Sequence, residues 1–346
     1  MQPDGNALRW SLAGTDPQGS LLDDAVDPTR ELREVEYLHV RARTIISEVP
    51  RASRMPFRFT INPYRGCSHA CTYCFARPTH EYLGLDGGDD FERRIVVKIN
   101  AVERLAAELA RPSWRGEHIA MGTNTDPYQQ CEGRYRLTRG ILEQLGAARN
   151  PFSILTKSTM VQRDTDVLLA AAERTSVRVN FSIGTLDEEV WRISEPGTPP
   201  PWKRVEALAR LTEAGIECGV LVAPILPGLS DGDEQLSAVV RACIDAGAVS
   251  ISSIGLHLRP GVRELFMPWL ARTRPDLVPR YQELYGARNG YLPRAEAEQL
   301  GVRVRALIAQ HGGCARSPLL ARGTIAEVPP PAAAPAEPYT QLRLVG

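Results

Sequence analysis

PFSILTKSTMVQRDTDVLLAAAERTSVRVNFSIGT, residues 151–185, has the pattern of a strand, a helix and a second strand. PFSILTK and VRVNFSIGT are short runs rich in β-branched and aromatic residues, whereas DVLLAAAER between them has the composition and apolar spacing of a helix. Two strands joined by a crossover helix are predicted to be parallel, with a right-handed connection. The same alternation recurs along the chain.

Six such strands are predicted, beginning near residues 58, 117, 153, 178, 217 and 250, with amphipathic helices between them. Helices after the fourth and fifth strands end at Gly215 and Gly247, which suit left-handed C-caps. Past residue 258 the pattern predicts helices near 262–271, 275–285 and 294–311 but no strands. A closed eight-unit barrel needs two more units. The predicted fold class is therefore α/β, a partial (βα)6 TIM-like barrel of parallel strands with additional C-terminal helices.

These patterns divide the chain into four parts. Residues 1–56 are predicted to be a weakly structured N-terminal extension, 57–258 the partial barrel core, 259–327 a C-terminal helical extension, and 328–346 a Pro/Ala-rich linker and tail. The 41 basic and 41 acidic residues balance, so no global field favours nucleic acid or anionic membranes. We expect a cytoplasmic protein that binds no membrane, because the chain has no leader pattern and no apolar run of about 18 residues.

Three of the seven cysteines lie close together in INPYRGCSHACTYCFARPTH, residues 61–80, directly after the first predicted strand. Parallel barrels carry their active sites at this end of the strands. Cys67, Cys71 and Cys74 have the spacing CxxxCxxC. A [4Fe-4S] cluster bound wholly by protein takes four thiolates, so three leave one iron open for a substrate or cofactor. Small residues around the cysteines let the loop wrap closely and direct backbone amides at sulfur atoms.

A structural zinc ion is the alternative for these cysteines, and it predicts a non-catalytic zinc- or iron-sulfur-binding protein. Structural zinc needs four protein ligands, commonly from two CxxC pairs, and the chain has no second pair. The candidates for a fourth ligand are His69, His80 and Cys131.

CxxxCxxC with Tyr73 before the third cysteine resembles the signature of the radical S-adenosylmethionine (SAM) superfamily. The longer stretch NPYRGCSHACTYCFARPTHEYLG is similar to a branch of largely uncharacterised members placed near spore photoproduct lyase. The resemblance implies a [4Fe-4S] cluster whose open iron chelates SAM. It further implies that an electron from a flavodoxin- or ferredoxin-type donor cleaves SAM to a 5′-deoxyadenosyl radical, which abstracts hydrogen from a substrate that the sequence does not identify.

The resemblance also implies cofactor contacts at the ends of the later strands. The motif TNTD, residues 123–126, corresponds to positions that contact the methionine end of SAM, with a polar turn as the alternative. Lys157, one of only three lysines, lies where a cation meets the cofactor carboxylate or a substrate anion, or else is a rim lysine. Ser182 and Glu195 resemble positions that bind the carboxylate and ribose. The predicted cofactor-binding residues are Tyr73, Thr123, Asn124, Thr125, Asp126, Lys157, Ser182 and Glu195.

Enzymes of this type sometimes return a hydrogen atom to substrate from a cysteine thiol. Spore photoproduct lyase keeps such a cysteine where this chain has Thr123, and this departure argues against a simple transfer of the DNA-repair activity. Cys131, in the same loop, is the candidate catalytic thiol, with an inert thiol as the alternative. Cys218 and Cys243 are predicted to be core residues, and Cys314 has no predicted role.

A nucleic-acid substrate, as in a photoproduct lyase-like repair or modification enzyme, competes with small molecules and peptides. The arginine-rich stretch from Arg30 to Arg65 predicts a basic groove into the barrel mouth, and a solvated surface is its alternative. After the sixth strand, His257 and Arg259 are candidates to face the cavity, although a lone histidine more often lies in the core.

Overall fold

The structure is a computed structural model that describes residues 10–16, 35–50, 53, 55–286 and 290–315. The predicted linker and tail, 328–346, lie outside the described residues, as do 1–9 and 17–34 of the predicted N-terminal extension. The strands are β1 Trp10–Asp16, β2 Glu36–Ala42, β3 Ile46–Glu48, β4 Phe59–Ile61, β5 Tyr64–Arg65, β6 Arg94–Lys98, β7 Ile119–Met121, β8 Phe152–Thr156, β9 Val177–Ser182, β10 Cys218–Ile225 and β11 Ser250–Gly255.

The larger sheet contains the predicted barrel strands. Its order is β11-β10-β9-β8-β7-β4-β3, and all six strands from β4 to β11 in this order pair in parallel, whereas β3 is antiparallel to β4. Among the described residues β11 and β3 remain the two edges, so the sheet is open. The predicted α/β class and partial six-unit barrel are confirmed.

A second sheet of four strands, in the order β1-β2-β6-β5, adjoins the first. Strand β2, from the predicted N-terminal extension, runs parallel to β6, and β5 pairs antiparallel with β6 through Tyr64 and Val97. The sequence analysis did not identify β6, although RIVVK has the β-branched composition of a strand. Strand β5 matters for the site because Cys67 follows it after one residue.

Eleven α-helices lie in the described part of the chain. They are α1 Asp89–Arg93, α2 Ala101–Leu109, α3 Glu132–Tyr135, α4 Leu137–Ala147, α5 Thr165–Ala172, α6 Glu188–Ser194, α7 Pro201–Glu213, α8 Asp233–Asp245, α9 Arg263–Thr273, α10 Val278–Tyr285 and α11 Arg294–Gln310, with 3₁₀ helices at Arg77–Leu83, Thr159–Asp164 and Pro275–Leu277. Gly215 and Gly247 have φ of 94° and 86°, which confirms the two predicted C-caps. Within the described ranges no helix has the length and apolar character needed to cross a membrane.

The two faces of the parallel sheet differ in chemistry. Alternate residues such as Ile154, Val179 and Val220 join α-helical side chains in the main hydrophobic core. The other face carries mostly short or polar residues, including Thr60 beside Ala120 and Asn180 beside Gly219. Burial of the apolar face fixes the strand register, and the register decides which side chains lie on the polar face.

Candidate functional site

The three clustered cysteines lie in one buried loop that follows β5. Cys67 and Cys71 are each 7% exposed, and Cys74 is partly buried. Two turns shape the loop, because the amide of Ala70 donates to the carbonyl of Cys67 and the amide of Cys74 donates to that of Cys71, each at 3.2 Å. Ala70 has a φ of 52°, a left-handed conformation that is uncommon for residues with a Cβ and occurs mostly in turns. The turns bring the three thiols into one site.

Hydrogen-bond donors surround these thiols. The backbone N–H of Asp126 lies near the thiol of Cys67, and those of Ala76 and Arg77 lie near that of Cys74; each lowers the pKa of its cysteine, although burial has the larger effect. The hydroxyl of Ser68, in the same loop, is buried without a partner. Cluster sulfurs accept such hydrogen bonds, which a neutral buried thiol needs far less. The donor set therefore fits an iron–sulfur cluster.

Burial affects the protonation of the three thiols in the protein alone. It raises the pKa of Cys71 to about 12, with a further rise from the negative charge of Glu195. Burial also raises the pKa of Cys67 well above the usual value, and it raises that of Cys74. Thiolates are the ligands of iron, so binding of a cluster releases protons at this loop.

The geometry is less suited to a single zinc ion. Within the part of the chain that the structure describes, no three side chains of His, Cys, Asp or Glu are grouped closely enough to hold one metal ion. When three cysteines each bind a different iron of a cubane, their sulfur atoms lie further apart than the ligand atoms of a single ion. His69 lies 3.4 Å from Asp126, and His80 donates from Nε2 to the carbonyl of Arg94 at 3.0 Å, whereas its buried Nδ1 has no hydrogen-bond partner.

Lys157 and Glu195 form the centre of a polar network beside the loop. Lys157 Nζ lies 2.9 Å from Glu195 Oε1 and 2.8 Å from the hydroxyl of Ser182, with the Ala223 carbonyl at 3.4 Å. The Tyr73 hydroxyl donates to Oε1 of Glu195, and the Lys157 ammonium lies over the Tyr73 ring, 5.6 Å from its centroid. The network thus joins the cysteine loop to the ends of β8, β9 and β10.

The carboxylate of Glu195 is buried and fully paired. Its Oε2 accepts from Arg204 at 2.5 Å and from the Thr198 hydroxyl at 3.3 Å. Burial alone raises the pKa of this carboxyl, but the charges of Arg204 and Lys157 outweigh it and hold the pKa well below the usual value. Both carboxylate oxygens of Glu195 therefore bind side chains of the site.

Asp126 is a second buried carboxylate beside the loop. It accepts from the Thr156 hydroxyl and the Lys157 amide, each at 2.7 Å, and it lies 3.4 Å from Nδ1 of His69. Burial alone raises its pKa, yet His69 and these hydrogen bonds hold the pKa below the usual value. Thr125, next to it, donates to the carbonyl of Gly66 at 2.6 Å. Both residues brace the start of the cysteine loop.

The motif TNTD divides into two pairs with different neighbours. Whereas Thr125 and Asp126 face the cysteine loop, the Thr123 hydroxyl lies 2.6 Å from that of Thr60, and the amide of Asn124 donates to the Asn62 side chain at 3.2 Å. Thr123 and Asn124 therefore lie beside the polar side chains at the carboxyl end of β4. No comparison tests the predicted contacts of these residues with a cofactor, and they stay predictions.

The remaining cysteines and His257 lie apart from this network. Cys131 is 2% exposed and packs with Tyr37, Tyr64 and other residues of the second sheet, near enough to Cys67 for the two thiols to interact electrostatically. Cys218 and Cys243 are fully buried in the main core, and Cys314 is exposed. His257 is half-buried against the Tyr291 ring, whose centroid is 4.6 Å away. The catalytic role of Cys131 stays a prediction.

Arg77 is a site residue that the sequence analysis did not select. Its side chain is buried, and its guanidinium donates to the carbonyl of Cys71 from Nε at 3.1 Å and from Nη2 at 2.9 Å. Arg77 lies three residues after Cys74, and the sequence analysis did not distinguish it from the many other arginines of the chain. The available signal was a position inside the cysteine loop, where buried arginines need several acceptors.

The predicted basic groove falls only partly within the described residues, because Arg30 lies outside them. Of the described arginines in that stretch, Arg58 pairs with Glu48 at 3.1 Å and with Glu117 at 3.2 Å. Its charge is therefore largely compensated. The groove itself stays a prediction.

Comparison with known proteins extends these findings. A model described as Radical SAM superfamily matches residues 61–239. An uncharacterized protein of Mycobacterium tuberculosis (strain ATCC 25618 / H37Rv) is 44% identical over 316 residues, which cover 88% of this chain and 93% of that protein. An uncharacterized protein of Methanocaldococcus jannaschii is 31% identical over 200 residues, which cover 57% of this chain and 71% of the relative.

The fold is also shared with solved structures. Spore photoproduct lyase complexed with dinucleoside spore photoproduct matches with a TM-score of 0.58 and 20% identity over 80% of this chain and 79% of that one. A mutant of that enzyme with bound AdoMet and dinucleoside spore photoproduct matches with a TM-score of 0.56 and 21% identity over 76% of this chain and 78% of the other. The superfamily model covers half of the chain and includes the whole cysteine loop, and on this ground the chain belongs to the radical SAM superfamily.

Proposed function

We propose that this protein is a radical SAM enzyme that binds one [4Fe-4S] cluster through Cys67, Cys71 and Cys74 and SAM at the open iron. The observation that carries the proposal is the buried loop of three thiols, which Tyr73 links directly to the network of Lys157 and Glu195. When bound and reduced, the cluster supplies the electron that cleaves SAM to methionine and a 5′-deoxyadenosyl radical.

The protein's own residues bind and orient the cofactor. The ammonium of Lys157 is the cation for the SAM carboxylate, and its long contact to the Ala223 carbonyl, 3.4 Å, is the one that exchanges for this ligand. Ser182 is held toward the same point because its hydroxyl donates to Ala223 at 2.8 Å. Glu195 and Asp126 act indirectly, since other site residues occupy their carboxylates.

The partial barrel, residues 57–258, carries this chemistry in our proposal, and side chains of α9 and α10 pack in one cluster with Tyr73 beside it. Radical SAM enzymes need an electron donor, and a flavodoxin- or ferredoxin-type protein is the predicted one. Hydrogen abstraction from a substrate follows radical formation. A nucleic-acid substrate stays a prediction, and binding to single- and double-stranded DNA that weakens steeply between 50 mM and 200 mM salt supports it; binding that ignores salt contradicts it.

The proposal is tested by anaerobic reconstitution with iron and sulfide, followed by dithionite and SAM. We expect a brown protein that forms 5′-deoxyadenosine. Cys71→Ala should lose most of its iron and all of this activity, because two thiolates hold a cubane poorly. Cys314→Ala is the matched control, since this thiol is exposed and only its backbone carbonyl is bonded, to Ile251. Wild-type protein with an intact cluster that forms no 5′-deoxyadenosine contradicts the proposed reaction.

A further inference from the structure

The guanidinium of Arg77 uses all five of its N–H groups inside the protein. Two donate to the Cys71 carbonyl, two more from Nη1 donate to the carbonyls of Gly87 at 3.0 Å and Gly88 at 3.2 Å, and the last donates to Glu92. The face of the guanidinium also lies 5.3 Å from the centroid of the Phe91 ring. With 3% of Arg77 exposed, this side chain clamps the cysteine loop to residues 87–92.

The same segment braces the loop at its other end. The Phe91 carbonyl accepts the amide of Cys67 at 2.8 Å. A Cβ placed on Gly66, whose φ is 83°, would meet that carbonyl at 2.9 Å. The backbone N–H of Arg77 also donates to the carbonyl of Cys74 at 3.3 Å. Arg77 therefore contacts the loop through its side chain at Cys71 and through its backbone at Cys74.

A permanent positive charge at the cysteine loop, where it acts on the Cys74 thiol, has an electrostatic consequence. The potential of an iron–sulfur cluster depends on nearby charge, hydrogen bonds to sulfur and solvent exposure. Reduction adds a negative charge, which a buried guanidinium stabilises more strongly than water-screened surface charges do. Glu92 partly offsets this effect, because it pairs with the same Nη2.

We propose that Arg77 is a positioning residue that holds the cysteine loop in place and whose charge raises the midpoint potential of the bound cluster. This inference rests on the proposed function, since it concerns the cluster that Cys67, Cys71 and Cys74 bind. A purely structural brace predicts lost cluster content on substitution. A charge effect predicts a shifted potential in protein that keeps its cluster.

The test compares Arg77→Gln with Arg77→Lys in the full-length, anaerobically reconstituted protein. Lysine keeps the charge but loses the planar fork, whereas glutamine loses the charge. Iron and sulfide content and the midpoint potential, from a redox titration followed by electron paramagnetic resonance, are measured for both. We expect Arg77→Gln to have a more negative potential than wild type and Arg77→Lys. Arg303→Gln is the control, because that arginine pairs with Asp233 on the far helices.

Equal shifts in the two variants, or no shift in Arg77→Gln, overturn the inference. If Arg77→Gln holds no cluster, Glu92→Gln decides, since it leaves the bonds of Arg77 to Cys71 in place and removes the offsetting negative charge. A less negative potential in Glu92→Gln supports the inference, and an unchanged one overturns it. Failure of the proposed function is separate, because wild-type protein would then bind no cluster or form no 5′-deoxyadenosine.

Discussion

Lys157 and Glu195 form a buried ion pair, with 2.9 Å between Nζ and Oε1 and only 13% and 5% of the two side chains exposed. One residue follows β8 and the other follows α6, so the pair joins two loops at the carboxyl end of the sheet. Tyr73 adds the cysteine loop to this junction through its hydrogen bond to Glu195. Residues predicted separately as cofactor contacts therefore hold one another before any cofactor binds.

Replacement of Lys157 by methionine tests this pair. The variant leaves Glu195 with Arg204 as its remaining cation, and we expect the free energy of unfolding to fall by about 3 kcal/mol, the lower end of the cost of breaking a buried pair. SAM affinity should fall at least about tenfold, since a charge-assisted bond is lost. Denaturant unfolding and anaerobic calorimetry measure the two effects.

Lys203→Met is the matched control for that substitution. Its ammonium pairs with Glu206 at 2.9 Å on the surface of α7, where both side chains are about half exposed. Surface pairs contribute little, so stability should change by less than about 0.5 kcal/mol and SAM affinity should not change. Unaltered SAM affinity in Lys157→Met would remove this lysine from the proposed cofactor site.

The charge of Glu195 makes the free energy of unfolding depend on pH in the acidic range. Its pKa in the folded protein lies below the ordinary value of 4.5, because Arg204 and Lys157 outweigh burial. Its contribution is therefore complete at neutral pH and declines as pH falls below about 5. Glu195→Gln should lose about 3 kcal/mol at pH 7, and the gap to wild type should narrow by pH 4. Unfolding by urea at both pH values checks this, and a constant gap would contradict the charge argument.

Much of the fold follows from local patterns in the sequence. Short runs rich in β-branched and aromatic residues, separated by amphipathic helices, identified the six parallel strands, and the glycine positions identified the caps at Gly215 and Gly247. The spacing of Cys67, Cys71 and Cys74 predicted one loop with three thiols, which the structure places together and buries. These features depend on neighbours within a few residues, which a single sequence contains.

Long-range partners could not be read in the same way. Strand β6 pairs with β2 across more than fifty residues, so nothing within the short β-branched run RIVVK identified the strand that it joins. Asp126 meets His69, and Arg77 meets Glu92, only because the chain folds back on the cysteine loop. The division of the TNTD motif depends on the positions of Asn62 and Gly66 on separate sides of it.

Cys131 provides a test of the number of cluster ligands. Its thiol is buried near Cys67, and burial with the charge of Glu132 raises its pKa well above the usual value. We expect Cys131→Ala to keep the iron and sulfide content of wild type and to lose about 1 kcal/mol of stability from the small cavity. Cys243→Ala in α8, also fully buried, should behave alike. Iron loss confined to Cys131→Ala would make Cys131 a fourth ligand.

Gly197 is expected to be essential for the shape of the cysteine loop. Its amide donates to the His69 carbonyl at 2.9 Å, and a Cβ at this position would lie 2.1 Å from the Ser68 carbonyl oxygen. Because these are backbone atoms, Gly197→Ala must displace the loop, at a cost of about 1–3 kcal/mol, and iron content after reconstitution should fall by about half or more. Gly301→Ala in α11 meets only the Arg305 side chain and should gain about 0.5–1 kcal/mol, since alanine favours a helix. Iron content and thermal unfolding are measured for both variants. Equal iron content in the two would contradict the idea that the close contact between Gly197 and the Ser68 carbonyl holds the loop.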